Sequence, residues 1–249
     1  MAKTKKIISA GNLRIEVIYD RVNRRDDERT RAAKRKAQSE AQARMNARSS
    51  WQKLELIIAK NFRPGDCVVG LDYDDRYLPF SKTEADYRVK QFRAAMSRKR
   101  KAGGQEFRMV WNTESKHSGG RYHHQCIINA TGWDIDDLRA AWPYGGVHLE
   151  PLRADKEKNY ETLARYMTKE YPETNSRRVW SYTRSCKQPE IESFIVPDDT
   201  VLEVPEGAVV LEHSPGSEFI VSYRYIKMIS EVLPRAPKPK RKHRRKLRT

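Results

Sequence analysis

Glu106-Phe-Arg-Met-Val-Trp-Asn-Thr-Glu-Ser-Lys-His-Ser-Gly-Gly-Arg-Tyr-His-His-Gln-Cys-Ile-Ile-Asn129 is the stretch on which the fold turns. Two runs with strand composition, Glu106 to Thr113 and Arg121 to Asn129, flank the turn residues Ser118-Gly119-Gly120. That spacing predicts a hairpin with a long loop, and a hairpin commits its strands to antiparallel pairing. Upstream, Pro64-Gly65-Asp66 punctuates the chain before the apolar run Cys67 to Tyr73, which reads as a buried strand. Ser81-Lys-Thr-Glu84 has the form of a capping box, and Ala85, Val89, Phe92 and Met96 then recur at helical spacing up to about Lys101, before Gly103-Gly104. Downstream, the pattern predicts a helix over 134–142, a strand over 146–151 and a helix over 155–171 closed by Pro172. Short strands are expected near 178–183, 193–196, 201–204 and 219–223. Hairpins mixed with helices, without a regular strand–helix alternation, predict an α+β fold built on an antiparallel sheet.

The chain has 249 residues, with 50 Lys and Arg against 33 Asp and Glu for a net charge of +17, and a hydrophobic fraction of 38%. Polyanions are therefore the partners to expect. From Arg235 to Thr249, nine of fifteen residues are Lys or Arg and none is acidic, while Pro234, Pro237 and Pro239 discourage helix. The rest keeps 41 basic against 33 acidic residues, so the body is basic by itself. Residues 26–60 lack Pro and Gly and favour helix, with an apolar stripe only at Trp51, Leu54, Ile57 and Ile58. This segment reads either as a solvated arm ending in a docking turn or as a DNA-contacting helix. Four regions follow: an N-terminal segment with a basic helical arm (1–62), a catalytic-sized domain (63–190), a β-rich extension (191–233) and a disordered basic tail (234–249).

No run approaches the roughly 18 apolar residues of a membrane span, and Cys67, Cys126 and Cys186 form no CxxC pair. Reduced thiols and a cytoplasmic location are expected. With neither a GxxxxGK[ST] loop nor a GxGxxG fingerprint, no nucleotide cofactor is expected.

Side chains alternate along a strand, so His123 and Gln125 share one face while His124 and Cys126 share the other. Closing the hairpin sets Glu114 opposite His123, roughly 5 Å away across the ladder. A carboxylate, an imidazole and an amide suit Mg²⁺ or Mn²⁺. A zinc site from His117, His123, His124 and Cys126 is disfavoured, because consecutive strand histidines face opposite ways. On the helix of residues 159–171, Tyr160, Leu163, Ala164, Met167 and Tyr171 form a core stripe. Tyr166 falls beside the stripe with Lys169 three residues on, which makes it the exposed, cation-flanked tyrosine.

These residues resemble the HUH endonucleases, specifically the rolling-circle replication initiators of phages, plasmids and mobile elements. Val68-Val-Gly-Leu-Asp-Tyr-Asp-Asp75 resembles the family's first motif, Glu114 with His123-His124-Gln125 its metal motif, and Tyr166-Met-Thr-Lys169 its YxxK nucleophile motif. Arg178-Val-Trp-Ser-Tyr-Thr-Arg184 resembles the segment that follows the nucleophile, and the resemblance covers roughly residues 46 to 190. The chain departs from the pattern at Gln125, which stands for a second histidine, and at Gly70 and Asp72, where threonines are usual. The role of Asp72 is open.

The resemblance implies a central five-stranded antiparallel sheet with flanking helices. It implies that Tyr166 attacks single-stranded origin DNA, giving a 5'-phosphotyrosine and a free 3'-hydroxyl that primes synthesis, and that the ends are later rejoined. Lys169 would assist, Glu114, His123 and Gln125 would hold Mg²⁺ or Mn²⁺, and a host helicase and polymerase would act with the protein. Arg88, Lys90, Arg93, Arg98 and Lys99, with Lys240, Arg241, Lys242, Arg244 and Arg245 of the tail, are expected to contact DNA phosphates. The alternatives are a non-catalytic DNA-binding protein such as a repressor, or a transposase or relaxase of the same class.

Overall fold

The computed structural model describes residues 3–20, 40–115, 120–131, 135–169, 179–214 and 223–230, without the side chains of 40–43. The quoted stretch forms the expected hairpin, β4 (Met109–Ser115) against β5 (Tyr122–Ile128). Around it, β3 (Cys67–Leu71), β6 (Val147–Pro151) and β7 (Trp180–Tyr182) complete an antiparallel sheet ordered β6-β3-β5-β4-β7.

Each face of this sheet is covered by a helix that the sequence pattern dictates. Helix α2 (Lys82–Ala102) starts where Ser81 accepts a hydrogen bond from the Glu84 amide, so the first half of the capping box forms. Its Val89, Phe92 and Met96 pack on Val69, Leu71, Trp111 and Cys126, with Leu138 of α3 (Ile135–Ala141) and Trp142 beside them. On the opposite face, Val110 and Ile127 are covered by Leu54, Ile57 and Ile58 of α1 (Glu40–Asn61) and by Ala164 and Met167 of α4 (Glu161–Met167). The apolar stripe of residues 51–58 is thus a core seam.

A second five-stranded antiparallel sheet, absent from the expectation of one central sheet, has the order β8-β1-β2-β10-β9. It joins the hairpin β1 (Lys3–Ala10) and β2 (Leu13–Asp20) to β8 (Glu190–Val196), β9 (Val209–Ser214) and β10 (Arg224–Ile229). Its inner face sets Ala10, Leu13, Ile15, Val17 and Tyr225 against Leu56 of α1, so α1 lies between the two sheets. At the β1–β2 turn, Gly11 has φ +60°, and a Cβ there would stand 2.6 Å from the Ala59 carbonyl oxygen of α1. Only glycine allows that approach.

Three local expectations are corrected. The helix expected over 155–171 begins only at Glu161, because Asp155 to Lys158 form a turn closed by Lys158 N–H to Asp155 O, with Lys158 at φ +62°. Residues 201–204 are not a strand, and the strand expected at 219–223 is found at 224–229. The arm before residue 40, His117, Tyr171 and the whole tail from Arg235, with Lys240, Arg241, Lys242, Arg244 and Arg245, lie outside the described residues. Among the described residues, no helix is long and apolar enough to cross a membrane.

Candidate active site

Register decides which side chains meet. Glu114 pairs with His123 across β4–β5, and one row further in, Asn112, Gln125, Gly70 and His148 align across β4, β5, β3 and β6. His123 and Gln125 therefore share the face under α1 and α4, as the alternation predicts, and His124 points into the opposite core, fully buried.

His123 Nε2 lies 3.1 Å from Glu114 Oε2, and Lys169 Nζ lies 2.7 Å from the same oxygen. Asn112 donates to Glu114 Oε1 at 2.7 Å and to the Met167 carbonyl at 2.9 Å, which ties the carboxylate to the end of α4. Burial by itself would raise the Glu114 pKa, but hydrogen bonds from His123, Lys169 and Asn112 outweigh it and hold the carboxyl at about 2. The hydrogen bond from Glu114 raises the His123 pKa against the pull of burial. Burial also lowers the Lys169 pKa, and contacts with Glu114 and Tyr166 more than reverse it.

Tyr166 is 46% exposed, whereas Tyr160, Ala164 and Met167 of the same turn region are buried. Lys169 Nζ sits 3.9 Å from the centre of the Tyr166 ring. One ammonium thus touches both the buried carboxylate and the exposed phenol. Tyr166, His123 and Gln125 line a cleft of about 900 Å³ together with Asp72 and His148. Glu114 lies behind His123 and is only 1% exposed.

His148 has no signal of its own in the sequence, although it stands on an expected strand. It reaches Asp72 through a 3.0 Å contact from Nε2 to Oδ2. Gly145 makes the pairing possible: a Cβ there would meet the Asp72 carbonyl at 2.5 Å, and without one the loop lies against the end of β3, with Asp72 N–H donating to Gly146 O.

Glu114, His123 and Gln125 fit a hard divalent ion by donor chemistry. Glu114 is held anionic and already carries a cation, the Lys169 ammonium, and the Gln125 amide makes no hydrogen bond to the described residues. Among the described residues, no three His, Cys, Asp or Glu side chains converge as a metal cage, so an amide or water donor is needed to complete the set. The zinc reading loses two of its donors, because His124 and Cys126 are both fully buried in the α2-side core.

The basic residues of α2 separate. Arg88 is held by Glu84 and the Tyr77 carbonyl and stacks on Tyr73 and Tyr144. Lys99 pairs with Asp137. Lys90 and Arg98 are exposed, and Arg93 leans over Trp111.

An antiparallel sheet that brings a carboxylate, an imidazole and an amide to one face, with a tyrosine and lysine from a short helix beside them, is the arrangement the HUH resemblance implies. Residues 66–171, from the start of β3 past α4, match the replication-associated protein family named for ORF2. That stretch contains Glu114, His123, Gln125, Tyr166 and Lys169, and the family's description places its members in DNA replication. No curated protein and no solved structure matches the chain.

Proposed function

We propose that the protein is a rolling-circle replication initiator that nicks and rejoins single-stranded origin DNA through Tyr166. The observation that carries this reading is Lys169, which bridges the exposed Tyr166 ring and the buried Glu114 carboxylate. The Tyr166 oxygen attacks the scissile phosphorus, an O–P bond forms, and the bond from phosphorus to the 3'-oxygen breaks. The phenol proton leaves, the 3'-oxygen takes up a proton, and the energy of the phosphodiester is retained in the tyrosyl ester for rejoining. A phenol ordinarily titrates near about 10 and needs help at neutral pH, which a neighbouring ammonium supplies by stabilising phenolate. Glu114, His123 and Gln125 would hold Mg²⁺ or Mn²⁺, which when bound supplies Lewis-acid stabilisation of the phosphoryl oxygens. The match to a replication-associated family supports the replication role. A helicase and polymerase of the host would supply unwinding and synthesis.

The test is to incubate the protein with Mn²⁺ and end-labelled single-stranded oligonucleotides from its own locus, then run a denaturing gel. A covalent protein–DNA band is expected with 3'-labelled DNA, and Tyr166→Phe should lose it while keeping DNA binding. A band that persists in Tyr166→Phe removes this assignment. Tight binding with no band on any oligonucleotide from the locus favours the non-catalytic alternative.

A further inference from the structure

At the other end of the site's sheet, the fold leaves a set of cations without acids. Arg93, Arg98 and Lys101 of α2 and Arg184 after β7 line a groove of about 670 Å³ whose walls contain no Asp or Glu. Its remaining polar lining is Ser97, Gln105 and the hydroxyls of Thr183 and Ser185. The neighbouring cations are treated differently: Lys99 is neutralised by Asp137 and Arg108 by Glu106. Among the described residues, no carboxylate engages any of the four groove cations, and Arg93 is oriented by Trp111 alone. Four like charges on one concave surface repel one another unless an anion lies between them.

The groove is anchored by the fold. Thr183 N–H donates to Met109 O, the Met109 amide donates to Thr183 Oγ1, and Ser185 Oγ donates to the Phe107 carbonyl. These contacts fix the loop bearing Arg184 beside the start of β4, while Glu114 stands near the strand's other end. At about 3.3 Å per residue, that places the groove roughly 20 Å from the Glu114–Lys169 pair.

We propose that this groove binds the sugar-phosphate backbone of a DNA strand, as a second nucleic-acid site separate from the Tyr166 cleft. A run of phosphates, with one charge per about 3.4 Å along a strand, suits several guanidinium and ammonium groups in a row, and hydroxyls can donate to the oxygens between them. Such contacts carry no sequence information, so the groove would retain DNA flanking the cut in any sequence context. Its relevance to nicking rests on the proposed function, but binding there does not.

Two measurements on the full chain test it. Binding of a 40-nucleotide single strand is followed against salt concentration for wild type and for the double variant Arg98→Gln, Arg184→Gln. With about 0.7 counterions released per neutralised phosphate on single strands, the slope of log affinity against log salt should shrink by about 1.4. A photo-crosslinking benzophenone amino acid in place of Ser97 should capture the strand without divalent metal and also in a Tyr166→Phe background, where the nicking reading plays no part. An unchanged slope, or a position-97 probe that captures no DNA, overturns the groove as a site whatever the outcome at Tyr166.

Discussion

At the residue scale, the two adjacent histidines of β5 have opposite electrostatic fates. Thr113 Oγ1 donates to Asp86 at 2.6 Å, so it must accept from His124 Nδ1–H at 3.1 Å, which leaves Nε2 to accept the Tyr73 hydroxyl at 2.8 Å. His124 is a neutral core histidine, and burial, followed by the charges of His123 and Lys82, lowers its pKa from 6.5 to about 3. The unfolded chain therefore binds a proton below about 6.5 that the folded chain refuses, and stability falls as pH drops from there towards about 3. Glu114, depressed from 4.5 to about 2, adds a second loss as pH falls through that lower window. Thermal melts should show a falling Tm between pH 6.5 and 4.5 that largely flattens in His124→Gln. An equally steep decline in the variant would assign the acid sensitivity elsewhere. Glu114→Gln should weaken Mn²⁺ binding at least tenfold, read by electron paramagnetic resonance of the free ion; unchanged binding would remove Glu114 from the ligand set. The facing of His123 and Gln125 and the pairing of Glu114 were legible, because period two and a closed hairpin fix them. The Asp72–His148 pair was not, because it depends on how the Gly145-Gly146 loop returns to the end of β3.

At the element scale, helix α2 was readable almost to the residue, since its cap and its apolar spacing agree. Helix α4 was overextended because Asp155 to Asn159 carry no Pro or Gly to announce the turn that precedes it; Lys158 takes the left-handed conformation instead. The β1–β2 hairpin carried its own signal, Gly11-Asn12 between two runs of equal length, but Lys3 to Lys6 obscured the first of them. Gly11→Ala should cost more than about 1 kcal/mol, because it combines a positive φ with a clash on the Ala59 carbonyl. Ile127→Ala, in the fully buried contact between the sheet and helices α1 and α4, should cost about 2–5 kcal/mol. Urea unfolding checks both, and a Gly11→Ala protein as stable as wild type would show that the turn is not tightly docked.

At the scale of the whole molecule, a buried charge cluster joins the second sheet to the helix that bears Tyr166. Lys227 of β10, fully buried, lies 2.7 Å from Glu55 of α1 and 2.7 Å from Glu161 of α4. Burial raises the Glu55 pKa in spite of the lysine, so removing the lysine alone leaves a carboxyl stranded in the interior. Lys227→Met should cost about 3–5 kcal/mol, and adding Glu55→Leu should recover much of it. Equal losses in the single and double variants, measured by denaturant melts, would mean that shape rather than charge holds this junction. None of this was visible beforehand, because strand pairing between distant segments leaves no periodic trace in either one. That same pairing sets the order in which the molecule can be completed. Lys3 stands opposite Val196, and at about 5–20 residues per second the ribosome needs about 10–40 s to carry the chain from one to the other. Strand β1 therefore emerges among the earliest residues and waits with an open edge until nearly the whole chain has been made. Loop closure of that length makes the second sheet the slow event in folding, so the nascent protein's main exposure to misassociation falls on its own first strand.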